Sequence, residues 1–84
     1  MRMLENFSKK WSIAGKSEII DINKKLGCSI PEGTDYHTLA GFLLEKFQMV
    51  PTIGDVLEFN QIKFEVISMS GPKIDRVKIF LPKS

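Results

Sequence analysis

Few side chains in this sequence can carry covalent or acid–base chemistry. The chain holds one cysteine, Cys28, and one histidine, His37. A nucleophile needs a base within hydrogen-bonding reach, and in the only local pair, His37 and Thr38, adjacent helical residues would point about 100° apart. A pairing of His37 with the more distant Cys28 stays open. We predict that the chain is not an enzyme and that His37 is a surface residue near a helix start.

A metal site requires three or four ligands that converge. Asp35 and His37 lie two positions apart and face different directions, and the remaining carboxylates of interest, Asp55, Glu58 and Asp75, are scattered along predicted strands. Hard oxygen ligands suit Mg²⁺ or Ca²⁺. Two hypotheses remain for Asp55: it binds a divalent cation together with a neighbouring carboxylate, or it belongs to a solvated strand face.

Nucleotide and nucleic-acid signatures are missing from the sequence. The six glycines are isolated at turns, without a GxGxxG or GxxxxGK pattern. Arg76, Lys78 and Phe80 share one strand face, which is too little for an RNA-binding surface. The net charge of +2 is too small to indicate nucleic acid or an anionic membrane. We expect no nucleic-acid partner, and we interpret Cys28 as a buried or half-buried structural thiol.

The length of 84 residues predicts a single domain. A hydrophobic fraction of 43% with 26% charged residues is typical of globular proteins. Apolar runs are far shorter than the roughly 20 residues that a spanning helix needs, and the N-terminal residues lack the apolar centre of a signal peptide. We expect a soluble fragment that does not itself insert into a membrane.

The first half of the chain predicts a strand and a short helix. Residues 11–13 alternate large apolar with small polar side chains, and Gly15 follows as a turn. Asp21 is the predicted N-cap of a helix that continues to Leu26 and stops at Gly27.

A second, more apolar helix follows, capped by Thr34 or Asp35 and ended by Pro51. Four apolar residues recur at helical spacing: Leu39, Phe42, Leu43 and Phe47. Gly41 lies within this helix, where glycine costs about 0.5–1 kcal/mol relative to alanine. We interpret Gly41 as a point of close approach by the backbone of a neighbouring strand or loop, which a Cβ atom would block.

The last third reads as a β-meander. Strands are predicted at 56–59, 62–67 and 74–81, with turns at residues 60–61 and 70–73. We expect the final strand to be a sheet edge. The predicted fold class is α+β, with a small antiparallel sheet from the C-terminal meander and two helices packed on one face.

The second face of this sheet should keep apolar side chains that need cover. Ile67, Ile74 and Phe80 fall on it by alternation, and Phe7 and Trp11 lie near the start of the chain. Exposed apolar patches mark contact sites. We therefore predict an interaction surface formed by Phe7, Trp11, Ile74 and Phe80, covered by the N-terminal segment or by a second copy.

Taken in order, several segments resemble a known family. They are W-S-I-A-G at 11–15, D-Y-H-T-L-A-G-F-L-L at 35–44, V-P-T-I-G-D at 50–55 and F-N-Q-I-K-F-E-V-I at 59–67. This pattern, from about Trp11 to Leu81, resembles the CorC/HlyC-type transporter-associated domain. That domain is the cytoplasmic C-terminal piece of bacterial membrane proteins named haemolysins or magnesium/cobalt efflux proteins, where it follows an intramembrane region and a pair of CBS domains.

The resemblance implies an α+β fold related to a subdomain of FAD-binding enzymes. It implies a domain at 11–81, between a frayed or cloning-derived start at 1–10 and a tail at 82–84. The positions that match its most specific motif are candidate cofactor-binding residues: Thr38, Gly41, Pro51 and Gly54. FAD or an adenine nucleotide is implied by the resemblance only, and we expect no cofactor.

The resulting hypothesis is a non-catalytic regulatory or interaction module. It would lie on the cytoplasmic face of the inner membrane within a larger protein of the magnesium/cobalt efflux family and modulate ion transport. Its partners would be the adjoining CBS and transmembrane domains, or a second copy in a homodimer. The alternatives are a flavin- or adenine-nucleotide-binding module and a weak divalent-cation sensor.

Overall fold

A computed structural model of the chain describes the backbone of residues 7–82 and the side chains of residues 9–82. Six elements follow one another within this range: β1 (Phe7–Ala14), α1 (Ile19–Leu26), α2 (Leu39–Phe47), β2 (Val56–Phe59), β3 (Ile62–Ser70) and β4 (Lys73–Pro82). The strands form one antiparallel sheet in the order β1-β4-β3-β2. The predicted α+β class is confirmed, with β1 added to the C-terminal meander.

Alternating side chains of the sheet and one stripe of each helix form the core. Phe42 of α2 lies at its centre, with its ring centroid 5.5 Å from those of both Phe59 and Phe64. The predicted α2 stripe is confirmed, since Leu39, Phe42 and Leu43 are fully buried and Phe47 packs against them half-buried. Burial of such side chains stabilises the fold by about 1.5–3 kcal/mol each.

Both helices begin at residues other than those predicted from the sequence. Thr38 is the N-cap of α2, and its hydroxyl oxygen accepts a hydrogen bond from Gly41 N at 3.2 Å. The predicted cap at Thr34 or Asp35 is therefore wrong. The helix α1 begins at Ile19, so Asp21 lies in its first turn instead of at its cap. At the other end, Gly27 adopts φ 71 and ends α1 as predicted.

The turn after β1 runs beside the segment that precedes α2. Three backbone hydrogen bonds join them: Ala40 N to Gly15 O (2.9 Å), Leu39 N to Ser17 O (2.9 Å) and Ile19 N to His37 O (2.8 Å). The first N–H groups of a helix have no partner within the helix. Here the other segment supplies the acceptors, which explains why α1 forms without a capping side chain.

Gly15 is the tightest point of this junction. Its N–H donates to Asp75 O of β4 at 2.8 Å. A Cβ atom at position 15 would collide with the carbonyl oxygen of Ile74. Glycine is therefore required for the turn to lie directly against the β4 backbone.

The pairing of β3 with β4 contains two irregularities that change which side chains face the core. The pairs around them are Val66–Val77, Ser68–Arg76 and Met69–Ile74. Ile67 on β3 and Asp75 on β4 are left without a partner in this register, and an unpaired residue shifts the alternation of side chains by one. As a result Ile74 faces the helices and is 4% exposed. The prediction that Ile74 lies on the outer face is wrong.

The turns were predicted correctly, but the edges of the sheet were not. Asn60 and Gln61 form a two-residue hairpin turn with φ 53 and 69, and Gly71 opens the next turn with φ 59. The strand β4 lies between β1 and β3, so it is central and not the predicted edge. Among the described strands the two edges are β1 and β2.

The strand β1 begins at Phe7, so residues 7–10 belong to the sheet and the boundary predicted at residue 11 falls inside β1. Pro82, assigned to the tail, is the last residue of β4. The rest of the predicted start and tail, residues 1–6 and 83–84, lies outside the described residues.

Asn23 fixes the loop that follows α1. Its Nδ2 donates to Ile30 O at 2.9 Å and its Oδ1 accepts from Ile30 N at 2.8 Å. Ile30 is buried, and buried backbone groups need hydrogen-bond partners. One side chain therefore satisfies both backbone groups of Ile30.

We predict that Gly15→Ala destabilises the domain by about 1–3 kcal/mol, because the new methyl group forces β4 away from the turn. The neighbouring Lys16→Ala, at an exposed position, is the control and should change the free energy of unfolding by less than about 0.5 kcal/mol. Urea denaturation followed by circular dichroism measures both. Equal transition midpoints for Gly15→Ala and the wild type would contradict the close contact.

We also predict that Asn23→Ala lowers the free energy of unfolding by about 1–3 kcal/mol, since Ile30 loses the partner of its N–H and C=O groups. Lys24→Ala on the same helix is exposed and serves as the control. Hydrogen exchange at the Ile30 amide should accelerate in Asn23→Ala and not in Lys24→Ala. An unchanged exchange rate would show that Asn23 does not hold the loop.

Candidate functional site

The candidate cofactor residues do not form one site. Thr38 and Gly41 lie at the start of α2, whereas Pro51 and Gly54 lie beyond its end. A nine-residue helix is about 13 Å long. The two halves of the motif therefore sit at opposite ends of α2.

The donors at the start of α2 are used inside the protein. Gly41 N donates to Thr38, and the two preceding amides donate to the turn after β1. A helix N-terminus binds anions through free N–H groups, and these are already satisfied. A Cβ atom on Gly41 would lie 2.7 Å from Cβ of Tyr36 and 3.7 Å from its Cα, so the predicted close approach at Gly41 exists, but the nearest atom belongs to a side chain and not to a backbone.

The P-T-I-G-D segment is a turn tied to β3. Gly54 adopts φ 98, and its N–H donates to Val66 O at 2.7 Å. Asp55 closes the turn, because its Oδ2 accepts from Thr52 N at 2.9 Å while its backbone oxygen accepts from Val66 N at 2.9 Å. Pro51 is buried beneath it. These residues hold the chain between α2 and β2.

Asp55 belongs to no group of three candidate metal ligands among the described residues. Within residues 7–82 no three His, Cys, Asp or Glu side chains come together as a metal site would require. One oxygen of Asp55 is engaged by Thr52, and Oδ2 of Asp75 accepts from the Ser68 hydroxyl at 3.0 Å. Both carboxylates therefore accept hydrogen bonds from nearby groups of the protein, and these bonds order the turn and the strand pair around them.

Cys28 is a half-buried structural thiol, as predicted. Its Sγ donates to Asn23 Oδ1 at 3.4 Å. Burial raises the pKa of the Cys28 thiol above its usual value, which keeps it protonated and poorly nucleophilic at neutral pH. A cavity of about 410 Å³ opens beside it between Leu26, Ile62 and Leu81. None of the candidate cofactor residues lines that cavity.

Of the four residues predicted to form an interaction surface, Ile74 and Phe80 are buried and Trp11 is half-buried. Phe80 is only 7% exposed, because Lys10 and Lys63 flank it on the adjacent strands and Lys63 Nζ lies 4.9 Å from the centre of its ring. Lysine stems often cover apolar surface in this way. Trp11 is half-buried against the core, and its indole N–H is buried without a hydrogen-bond partner among the described residues. The side chain of Phe7 lies outside the described residues.

A different apolar surface is exposed, and sequence reasoning missed it. Among the described residues, four of the five exposed large apolar side chains fall in one stretch of eight: Met49 (68%), Val50 (55%), Ile53 (64%) and Val56 (45%). We call these four residues the apolar edge, because they lead into the edge strand β2. One feature of the sequence could have revealed this surface: Ile53 lies inside the P-T-I-G-D turn and belongs to none of the predicted core stripes. Ile20 (47%) lies apart on α1.

The helices of the described range are too short to cross a bilayer.

Comparison with known proteins places this arrangement in a family. The model of the CorC_HlyC family, described as a transporter associated domain, matches residues 4–83. The polyamine export protein of Haemophilus influenzae is 28% identical over 74 residues, which cover 87% of this chain and 17% of that protein. The chain thus spans less than a fifth of the length of this relative.

Solved structures agree with the family match. The CorC_HlyC domain from Haemophilus ducreyi has a TM-score of 0.76 at 25% identity, covering 90% of this chain and all of that one. The transporter associated domain of a CBS domain protein from Porphyromonas gingivalis has a TM-score of 0.75 at 28% identity, covering 88% and 90% of the two chains.

A third neighbour is the CorC_HlyC domain of a Xylella fastidiosa hemolysin in complex with Mg²⁺ and Mn²⁺. It has a TM-score of 0.75 at 24% identity, with 89% of each chain covered, and it shares the fold. The family match over nearly the whole length, together with the common sheet and helices, leads to one conclusion. The chain belongs to the CorC/HlyC transporter-associated domain family.

Proposed function

We propose that this domain is an interaction module of a longer transporter-related protein, and that it regulates transport by contact with neighbouring parts of that protein. The observation that carries the proposal is the apolar edge. Four large apolar side chains, 45–68% exposed, lie within eight residues of one another in the chain. Concentrated apolar exposure of this kind marks contact surfaces.

The turn that carries Ile53 of the apolar edge is also held in a fixed shape. Hydrogen bonds between the turn and Val66 anchor residues 54 and 55 to β3, and the Asp55 carboxylate closes the turn around Ile53. A surface that is ordered before binding loses little conformational entropy on association. The ordered turn therefore favours a role in binding a partner over an exposed loop that has no function.

The neighbouring parts in our proposal are CBS and membrane-embedded segments of the same polypeptide, on the cytoplasmic face of a bacterial inner membrane. Two similarities support it: one neighbour at 28% identity is the corresponding domain of a CBS domain protein, and the curated relative is about six times longer than the matched segment. For the exported solute, the name of that relative favours a polyamine over the magnesium or cobalt implied by the sequence resemblance.

We predict that this chain can replace the matching segment of the Haemophilus influenzae polyamine export protein. Polyamine efflux by the chimera, measured in loaded cells, should follow the rate of the intact relative and not the rate of a version lacking that segment. The physical reason is that the two segments match over 74 residues at 28% identity, so the same fold should occupy the same place in the transporter.

Two variants of the chimera test the surface. Met49→Asp combined with Ile53→Asp should move efflux to the rate of the deleted version, since charges replace the contact side chains. Ile20→Asp, at an exposed apolar position on α1 (47%), should leave efflux unchanged. Efflux by the double variant that equals that of Ile20→Asp, at equal membrane abundance, would refute a role for the apolar edge.

A further inference from the structure

We infer that the groove beside Cys28 is a docking site for residues 1–6 of this chain, the segment M-R-M-L-E-N that leads into β1. The residues that line the groove are separate from the apolar edge, so this inference stands apart from the proposed function. Three observations support it: the surface of the groove, the place where β1 begins, and the length and composition of the segment.

The groove is an opening in the core at one end of the sheet, with a volume of about 410 Å³. Apolar side chains from three elements line it: Leu26 of α1, Ile62 of β3 and Leu81 of β4. Leu26 and Leu81 pack against the buried core but are only half-buried themselves. Lys9, at an exposed position, is the only charged residue among the described residues of the lining. The groove therefore favours an apolar occupant, because covering such side chains removes apolar surface from water.

The segment before β1 joins the sheet at the rim of this groove. Phe7, the first residue of β1, pairs with Pro82, and Lys9 pairs with Leu81. Lys9, Leu81 and Pro82 all line the groove. A group that is tethered at the entrance of a site reaches an effective concentration on the order of millimolar. The preceding segment therefore has an advantage over a second copy or a free ligand, which must bind from dilute solution.

The pairing of β1 with β4 is irregular at the same point. Ser8 has no partner between the pairs Phe7–Pro82 and Lys9–Leu81, so β1 contains a bulge. A bulge bends the strand that carries the extra residue. The chain before Phe7 can therefore leave the line of β1 and turn toward the helix side of the sheet, where Leu26 lines the groove.

The segment is long enough to cross the groove. The path from β1 over β4 to β3 covers two strand spacings, which is about 10 Å. Four extended residues span about 13 Å. Residues 3–6 are therefore sufficient to connect Phe7 with the part of the groove that Ile62 lines.

The composition of the segment suits an apolar groove. Three of its six residues are apolar: Met1, Met3 and Leu4. Methionine fills irregular apolar gaps because its side chain is unbranched and has three rotatable bonds. The family model matches residues 4–83, so the match begins three residues before β1. Leu4 is thus part of the matched region, and we centre the contact on Met3 and Leu4.

The Cys28 thiol reports whether the groove is covered, since it lines the groove and is the only cysteine of the chain. Its rate of reaction is measured with an aromatic disulfide that releases a coloured thiolate on exchange. Met3→Ser combined with Leu4→Ser should raise this rate about tenfold, the factor that corresponds to the loss of about 1.4 kcal/mol of contact. Arg2→Ser combined with Asn6→Ser is the matched control in the same segment and should react at the wild-type rate. Equal rates for the two double variants would overturn the inference.

Disulfide trapping with Cys28 tests where the segment lies and does not depend on the serine variants. Single cysteines are introduced as Arg2→Cys, Met3→Cys, Leu4→Cys and Asn6→Cys, and the intramolecular disulfide that forms with oxidised glutathione is followed by mass spectrometry. A disulfide requires Cα atoms within about 7 Å of each other. Cross-linking should therefore be fastest for Met3→Cys or Leu4→Cys. Equal rates at all four positions, a maximum at position 2 or 6, or no cross-link at any position would refute docking in the groove.

Discussion

The backbone junction between the turn after β1 and the segment before α2 is the constraint on which the rest of the fold depends. It sets the first residue of both helices, because each helix starts where its N–H groups meet carbonyls of the other segment. It also brings Gly15 against the backbone of Ile74. The turn that holds the start of α2 therefore lies directly on the central strand β4, with no side chain between them. A helix of eight or nine residues is marginal by itself, and this junction fixes both at the end where they would otherwise fray.

The same junction limits what the domain can bind. The amides at the start of α2 are hydrogen-bonded within the protein, so the motif that matches the family most specifically, Thr38 to Gly41, serves the fold. The second part of the motif, Pro51 to Asp55, is likewise engaged in its own turn and in β3. The residues that match the family motif therefore fix the two ends of α2. Contact with other molecules depends instead on exposed side chains such as those of the apolar edge.

Local signals in the sequence predicted the parts of the fold that local interactions decide. Gly27 ends a helix and Asn60 forms a turn because of their own backbone preferences, and these predictions are confirmed. The start of α2 at Thr38 depends on a segment some twenty residues earlier. Ile74 faces the core because two irregularities act on opposite strands, and the ammonium group of Lys63 on the neighbouring strand β3 lies over the Phe80 ring. No window of sequence around those residues contains the cause. The apolar edge was overlooked for a different reason, since its signal, an isoleucine inside the P-T-I-G-D turn, is local.

The anchoring of the apolar edge bears on how a contact there could act. Gly54 and Asp55 are hydrogen-bonded to Val66, and Val66 pairs with Val77 at the centre of the sheet. The core beneath is close-packed around Phe42 and contains no buried charged side chain among the described residues. Packed cores resist small displacements, so a partner bound at the apolar edge meets a rigid body. Regulation by such a domain would come from where it holds its partner, and the conformational change would belong to the parts of the longer protein that it connects.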